Sequence, residues 1–240
     1  MGAMGDKLKT ARLPYAAAVI VAGGSGSRFG GDKLMACLGG MPVLAHTLRT
    51  FEAVRAIREI VLVTRVETME DVASLCRTYH IGKITNIVSG GDTRAQSSLA
   101  GVMAVSPQAE LIAIQDGARP LVTEEVILDA LWTAHRHTAG VPAIPVHDTI
   151  KMAQDGVVTG TPNRSSLFAV QTPQCFQSDL IRAALMDAVQ NAPEVTDDCL
   201  AIERLGGKIY LSRGSEENLK ITTRQDLKIA ELILAERSGT

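Results

Sequence analysis

In the stretch Val21–Lys33, VAGGSGSRFGGDK, Arg28 and Lys33 stand five residues apart among five glycines. Glycines let main-chain amides approach an anion closely, and successive amides form a concave nest for it. A guanidinium adds a planar fork for phosphate oxygens, and an ammonium adds a compact, mobile charge. Such a loop could wrap a polyphosphate; the bland alternative is a tight turn with two solvated cations. Two familiar phosphate loops fail on it. The dinucleotide pattern G-x-G-x-x-G starts at Gly24 and Gly26 but ends on Phe29. The P-loop pattern runs from Gly26 to Gly31 but then puts Asp32 where lysine is required, and Leu34 follows Lys33 where a hydroxyl should hold magnesium.

The elements that must position this loop follow from periodicity. Apolar, β-branched runs at Ala16–Gly23, Glu59–Arg65, Lys83–Gly91, Ala109–Pro120 and Gly140–Ile150 read as strands. Between them lie helical patterns, the first with Leu44, Leu48, Phe51 and Val54 on one stripe and Pro42 in its first turn. This alternation predicts a Rossmann-like α/β fold: a three-layer α/β/α sandwich around a mostly parallel twisted sheet. Ligands bind such sheets beyond the carboxyl ends of the strands. The polar clusters fall there: the glycine loop, SGGDTR (Ser89–Arg94), QDGARP (Gln115–Pro120) and HDT (His147–Thr149). Far apart in sequence, they converge on one edge.

The alternation breaks at Lys151–Phe176, which has turn signals and no helical stripe, and it reads as a protruding β-arm. Helices at about Ser178–Gln190 and Thr196–Leu205, a strand at Lys208–Arg213, a short NLKIT segment and a closing helix from Arg224 complete the chain.

With 240 residues the chain makes one large domain, or one with an appendage. MGAMG reads as a remnant of expression, so residues 1–9 are set apart and 10–240 taken as one domain with its arm at about 149–172. A net charge of −2 argues against nucleic acid or an anionic membrane as the main partner. No apolar run nears the roughly 20 residues of a membrane span, and no signal-peptide pattern opens the chain. Four cysteines without a Cys-x-x-Cys read as buried thiols in a cytoplasmic protein. His135 and His137 would point apart on a helix, which disfavours a zinc site.

The loop resembles the N-terminal signature of the sugar-nucleotidyltransferases. With SGGDTRAQSS, QDGARP, PVHDTIK, QTPQCF, TDD (Thr196–Asp198) and ENLKIT in that order, the chain is similar to the methylerythritol-phosphate cytidylyltransferase family from about Ala16 to the last helix. The resemblance implies transfer of CMP from CTP to methylerythritol phosphate with release of pyrophosphate, using Mg²⁺. It implies Arg28, Lys33 and Lys220 as the catalytic cations, and Ala22, Gly23, Gly24, Gly26, Gly91, Asp92, Ser97 and Asp116 around CTP. Arg119, Thr149, Arg164 and Thr172 would bind the polyol phosphate, and the arm would swap across a homodimer. Asp116 could hold magnesium, meet a ribose hydroxyl, or simply open an Asp-Gly turn. Thr196 and Asp197 could cap the following helix.

Leu34 stands where the family usually has glutamine, and Gln115 and Gly117 replace the commoner His and Ala. A ribitol-5-phosphate cytidylyltransferase shares the loop and QTPQ, and a nucleotide-binding homologue without turnover is a further alternative. PVHDTIK and the TPNR spacing favour methylerythritol phosphate. Retention of Arg28, Lys33 and Lys220 favours an enzyme.

Overall fold

The structure is a computed structural model describing residues 13–24, 29–192 and 195–239. The segment 1–9, Gly26 and Arg28 lie outside the described residues.

The chain opens with β1 (Ala16–Val21), a small β2–β3 ribbon (Cys37–Leu38, Met41–Pro42), α1 (Val43–Ala53) and β4 (Ile57–Thr64). Next come α2 (Met69–Thr78), β5 (Ile84–Ser89), α3 (Arg94–Met103), β6 (Leu111–Asp116), α4 (Glu124–His137) and β7 (Ala139–Pro145). The arm region holds β8 (Met152–Gln154), β9 (Val157–Gly160), β10 (Phe168–Val170) and β11 (Gln174–Gln177). Then follow α5 (Ser178–Asn191), α6 (Asp198–Arg204), β12 (Tyr210–Arg213) and α7 (Arg224–Ser238).

Strand β1 pairs in parallel with β4 and β6, and β4 in parallel with β5, so these strands end on the same edge. Side chains of a strand alternate between faces, and β1 shows what that does to the core. Ala16, Ala18 and Ile20 join the cluster under α1, α2 and α4, where Leu44, Leu48, Phe51 and Val54 all lie. Ala17 and Val19 join the opposite cluster with Val102 of α3 and Ile181, Ala184, Leu185 and Ala188 of α5. The sheet is therefore covered on both faces, the three-layer sandwich that the alternation predicts.

Three details differ from the expectation. The end of the supposed arm belongs to the main sheet: β11 inserts antiparallel between β6 and β7, and β10 pairs antiparallel with β7. QCFQ is too short to show a strand period, and its first three residues are buried by the strands on either side. Within the arm only the β8–β9 hairpin stands apart from the main sheet. Pro42 precedes the first helical residue of α1. All four cysteines are free; Cys76, Cys175 and Cys199 are buried, whereas Cys37 on the short ribbon is exposed. His135 and His137 part as expected, one edge-on to Trp132 and the other stacked on Tyr210.

A third cluster ties the ends of the chain to the site. Phe29, Leu38, Val43, Leu121, Ile221 and Ala230 are buried together under α7, and the Arg224 guanidinium lies 5.4 Å from the centre of the Phe29 ring. Phe29, the residue that breaks the dinucleotide pattern, is thus an apolar anchor for the segment carrying Lys33. Ile221 anchors the segment carrying Lys220, and its N–H donates to Ala118 O at 2.8 Å.

Candidate active site

A cavity of about 410 Å³ opens at the carboxyl ends of β1, β5 and β6. Its walls are Val21–Gly24 after β1, Lys33 and Leu34, Gly91–Arg94 and Ser97 around the start of α3, Asp116 and Ala118 after β6, and Lys220. The structure therefore brings together Ala22, Gly23, Gly24, Lys33, Gly91, Asp92, Ser97, Asp116 and Lys220 from the sequence-derived set.

The wall after β5 is held by a capping box. Thr93 accepts from Gln96 N at 3.2 Å while Gln96 Oε1 accepts from Thr93 N at 3.0 Å. Ser97 Oγ accepts from Gly91 N at 3.2 Å. A side chain at Gly91 would collide with Gln96, since an added Cβ would lie 2.5 Å from Gln96 Cβ. Glycine here lets the loop close on its own helix.

Asp116 is the electrostatic centre. Its Oδ1 lies 2.7 Å from Arg94, and its Oδ2 lies 2.9 Å from Lys220 Nζ and 3.7 Å from Arg119 Nε. Burial alone would push this carboxyl up, but Arg94, Lys220 and Arg119 together hold it well below the usual carboxylate range. Its backbone N–H donates to Thr172 Oγ1 at 3.0 Å, so the strand β10–β11 region grips the end of β6. The other nitrogen of the Arg94 fork meets Asp198 Oδ2 at 2.8 Å. Asp198 is fully buried, and burial pushes its carboxyl up against the pull of Arg94.

Neither Arg94 nor Asp198 is singled out by motif reasoning, yet Arg94 lines the cavity and bridges two buried carboxylates. A usable signal lies in α6: Asp198 falls on the same face as buried Ala201 and Ile202, where an unpaired acid would be costly. The capping reading of Asp197 holds: its side chain accepts from Leu200 N at 2.9 Å as the N-cap of α6.

Other expected residues lie outside this cavity. Arg119 is mostly buried beside it and donates to Asn218 O at 2.5 Å. Thr149 and Arg164 are exposed at the base of the arm, where Arg164 donates to His147 O at 2.8 Å. His147 itself pairs with Glu216 at 3.1 Å.

Both Asp116 oxygens are engaged by cations, and among the described residues no three His, Cys, Asp or Glu side chains gather as ligands. No helix among the described residues is long and apolar enough to cross a membrane.

A doubly covered, mostly parallel sheet whose strand ends present glycine backbone and two lysines to one cavity suits a nucleotidyltransferase. The family profile of 2-C-methyl-D-erythritol 4-phosphate cytidylyltransferase matches residues 16–236. The enzyme of that name from Caldanaerobacter subterraneus subsp. tengcongensis is 39% identical over 221 residues, 90% of this chain and 97% of its own. That from Symbiobacterium thermophilum is 42% identical over 224 residues, covering 92% and 93%. Among solved structures, the 4-diphosphocytidyl-2C-methyl-D-erythritol synthase of Anaerococcus prevotii superposes with a TM-score of 0.83 at 34% identity, covering 92% of this chain and 98% of that one. The chain belongs to the 2-C-methyl-D-erythritol 4-phosphate cytidylyltransferase family, and it is a cytidylyltransferase of the non-mevalonate isoprenoid pathway.

Proposed function

We propose that CTP lies in the 410 Å³ cavity with its triphosphate between Lys33 and Lys220. A phosphate oxygen of methylerythritol phosphate then attacks the α-phosphorus. The new P–O bond forms as the bond to the bridging oxygen of the β-phosphate breaks, and pyrophosphate leaves. The acceptor phosphate has a second pKa of about 6 and is mostly dianionic at neutral pH, so it attacks without a general base. The protein's task is to hold two polyanions in line and neutralise the charge that builds on the α-phosphate and the leaving group. The observation that carries this reading is the placement of Lys33 and Lys220 on one cavity that Gly23, Gly24 and Gly91 also line.

Arg28 would join Lys33 on the triphosphate, with Gly26 in the same loop. Asp92 and Ser97 would fit the ribose and pyrimidine. Arg119, Thr149, Arg164 and Thr172 would take the polyol phosphate. A divalent cation, Mg²⁺, would arrive on the triphosphate rather than on a protein carboxylate, in keeping with the engagement of Asp116. Cytoplasmic residence accords with four free cysteines.

A pyrophosphate-release assay with CTP and either methylerythritol phosphate or ribitol phosphate tests the reading. Faster turnover with methylerythritol phosphate is expected; faster turnover with ribitol phosphate would overturn it.

We further propose that the arm completes its site in a homodimer. Ile150, Met152, Val157, Val158, Phe168 and Val170 are between 40% and 68% exposed, an apolar surface that calls for a partner. Thr149 and Arg164 sit at its base, away from the cavity of their own chain. Val157→Asp with Val158→Asp should shift the protein to monomer mass in sedimentation and lower turnover in parallel. A monomer with full turnover would refute the shared site.

A further inference from the structure

The QTPQ run, Gln171–Gln174, leads from β10 into β11 and holds two buried glutamines with different partners. Gln174 reaches α6, where its Oε1 accepts from Cys199 N at 3.2 Å and its Nε2 donates to Asp197 Oδ2 at 3.3 Å. Gln171 reaches the segment that carries Lys220. Its Nε2 donates to Ser215 O at 2.7 Å and its Oε1 accepts from Ser215 N at 3.2 Å. One carboxamide thus serves both main-chain groups of a residue 44 positions away, as a strand neighbour would. Asn218, fully buried, donates from Nδ2 to Gln171 Oε1 at 3.3 Å and to Thr172 O at 3.0 Å. Thr172 Oγ1 in turn accepts from Asp116 N, and Asp116 Oδ2 holds Lys220 Nζ at 2.9 Å.

These contacts close a ring from Gln171 through Ser215, Asn218, Lys220, Asp116 and Thr172 back to Gln171. The ring fastens the Lys220 segment to the strand end that carries Asp116. Packing alone does not account for it. Gln171 spends its polar atoms on main chain, and Asn218 Oδ1 is buried without a partner among the described residues, a cost that an apolar residue would avoid. We infer that Gln171 is a positioning residue for the transfer reaction: it holds the Ser215–Lys220 segment so that the Lys220 ammonium meets the charge that builds on the α-phosphate. The assignment rests on the proposed seat of the triphosphate between Lys33 and Lys220. A donor held ready in this way acts on the transition state, and a displacement of about 1 Å costs up to about 100-fold in rate.

Gln171→Met keeps the length of the side chain and loses every side-chain bond to Ser215 and Asn218. In the full-length enzyme, followed by pyrophosphate release, it should lower kcat by about 10- to 100-fold while the KM values for CTP and methylerythritol phosphate change less than about threefold. Asn218→Ala opens the ring from the other side and should do the same. Ser215 is half-buried, so water can take its freed groups, and the circular dichroism of Gln171→Met should match the parent. In the Lys220→Ala background either change should cost less than about threefold, because the group it positions is gone. Equal losses in both backgrounds, or a loss confined to the KM for methylerythritol phosphate, would overturn the assignment. Near-normal kcat in Gln171→Met beside a large loss in Lys220→Ala would overturn it and leave the role of Lys220 intact. Near-normal turnover of Lys220→Ala would overturn both.

Discussion

Lys220→Ala is expected to lower kcat for CTP and methylerythritol phosphate by about 100- to 1,000-fold, the usual effect of removing one donor aimed at developing negative charge. The fold should survive. Lys220 is about two-fifths exposed, and Asp116 keeps Arg94 and Arg119 after its loss. In the free enzyme the ammonium rests on Asp116 Oδ2 at 2.9 Å. It is thus held at the cavity wall before any triphosphate arrives, which removes the cost of ordering a long side chain at the moment of reaction. The pair should therefore be non-additive: Asp116→Asn should cost much less in the Lys220→Ala background than in the parent. Steady-state kinetics with circular dichroism on each variant checks both statements. Near-normal turnover of Lys220→Ala would contradict charge neutralisation from this side of the cavity.

The second large effect concerns Arg94. Replacing it with methionine should destabilise the protein by about 3–5 kcal/mol, since it strands the buried Asp198 carboxylate and takes one of three cations from Asp116. The loss should depend on pH in a definite sense. Asp198 already has its carboxyl raised by burial, and Arg94 is the main influence opposing that rise. Without Arg94 the folded-state value climbs further above the unfolded value of about 3.9. In the window between those two values the folded state binds more protons. Stability therefore falls as pH rises through the folded value and is recovered on acidification. Asp116 works in the opposite direction in the parent. Its carboxyl is held low, so its contribution is present above the unfolded value and lost as pH falls. Urea unfolding at pH 5 and pH 8 should show the variant less impaired at the lower pH. Equal losses at both would mean that Asp198 finds another partner.

Much of this arrangement is legible in the sequence because the fold is periodic. Strands with apolar, β-branched runs, each followed by a polar cluster, place the Val21–Gly24, Gly91–Ser97 and Asp116 groups on one edge whatever the details between them. Arg94 and Asp198 are not legible in that way. Their contact spans 104 residues, and Arg94 follows the capping Thr93 as any solvated first-turn residue would. The antiparallel entry of β11 is hidden for a different reason: four residues carry too little periodicity, and their strand form is imposed by β6 and β7. Gln115 and Gly117 also gain meaning only in three dimensions. Gln115 is fully buried with both amide atoms unpartnered among the described residues, and a Cβ at Gly117 would press on Leu44 and Val21 O at 3.1 and 3.2 Å.

The separateness of the β8–β9 hairpin has an engineering consequence. Its strands pair only with each other, while β10 and β11 are fastened into the main sheet on the way back. The chain thus carries this tip as a cassette between fixed anchor points, and the 410 Å³ cavity is lined entirely by other segments. Tips of different sequence grafted between Ile150 and Asn163 should alter the proposed contact between subunits while the residues lining the 410 Å³ cavity are inherited unchanged.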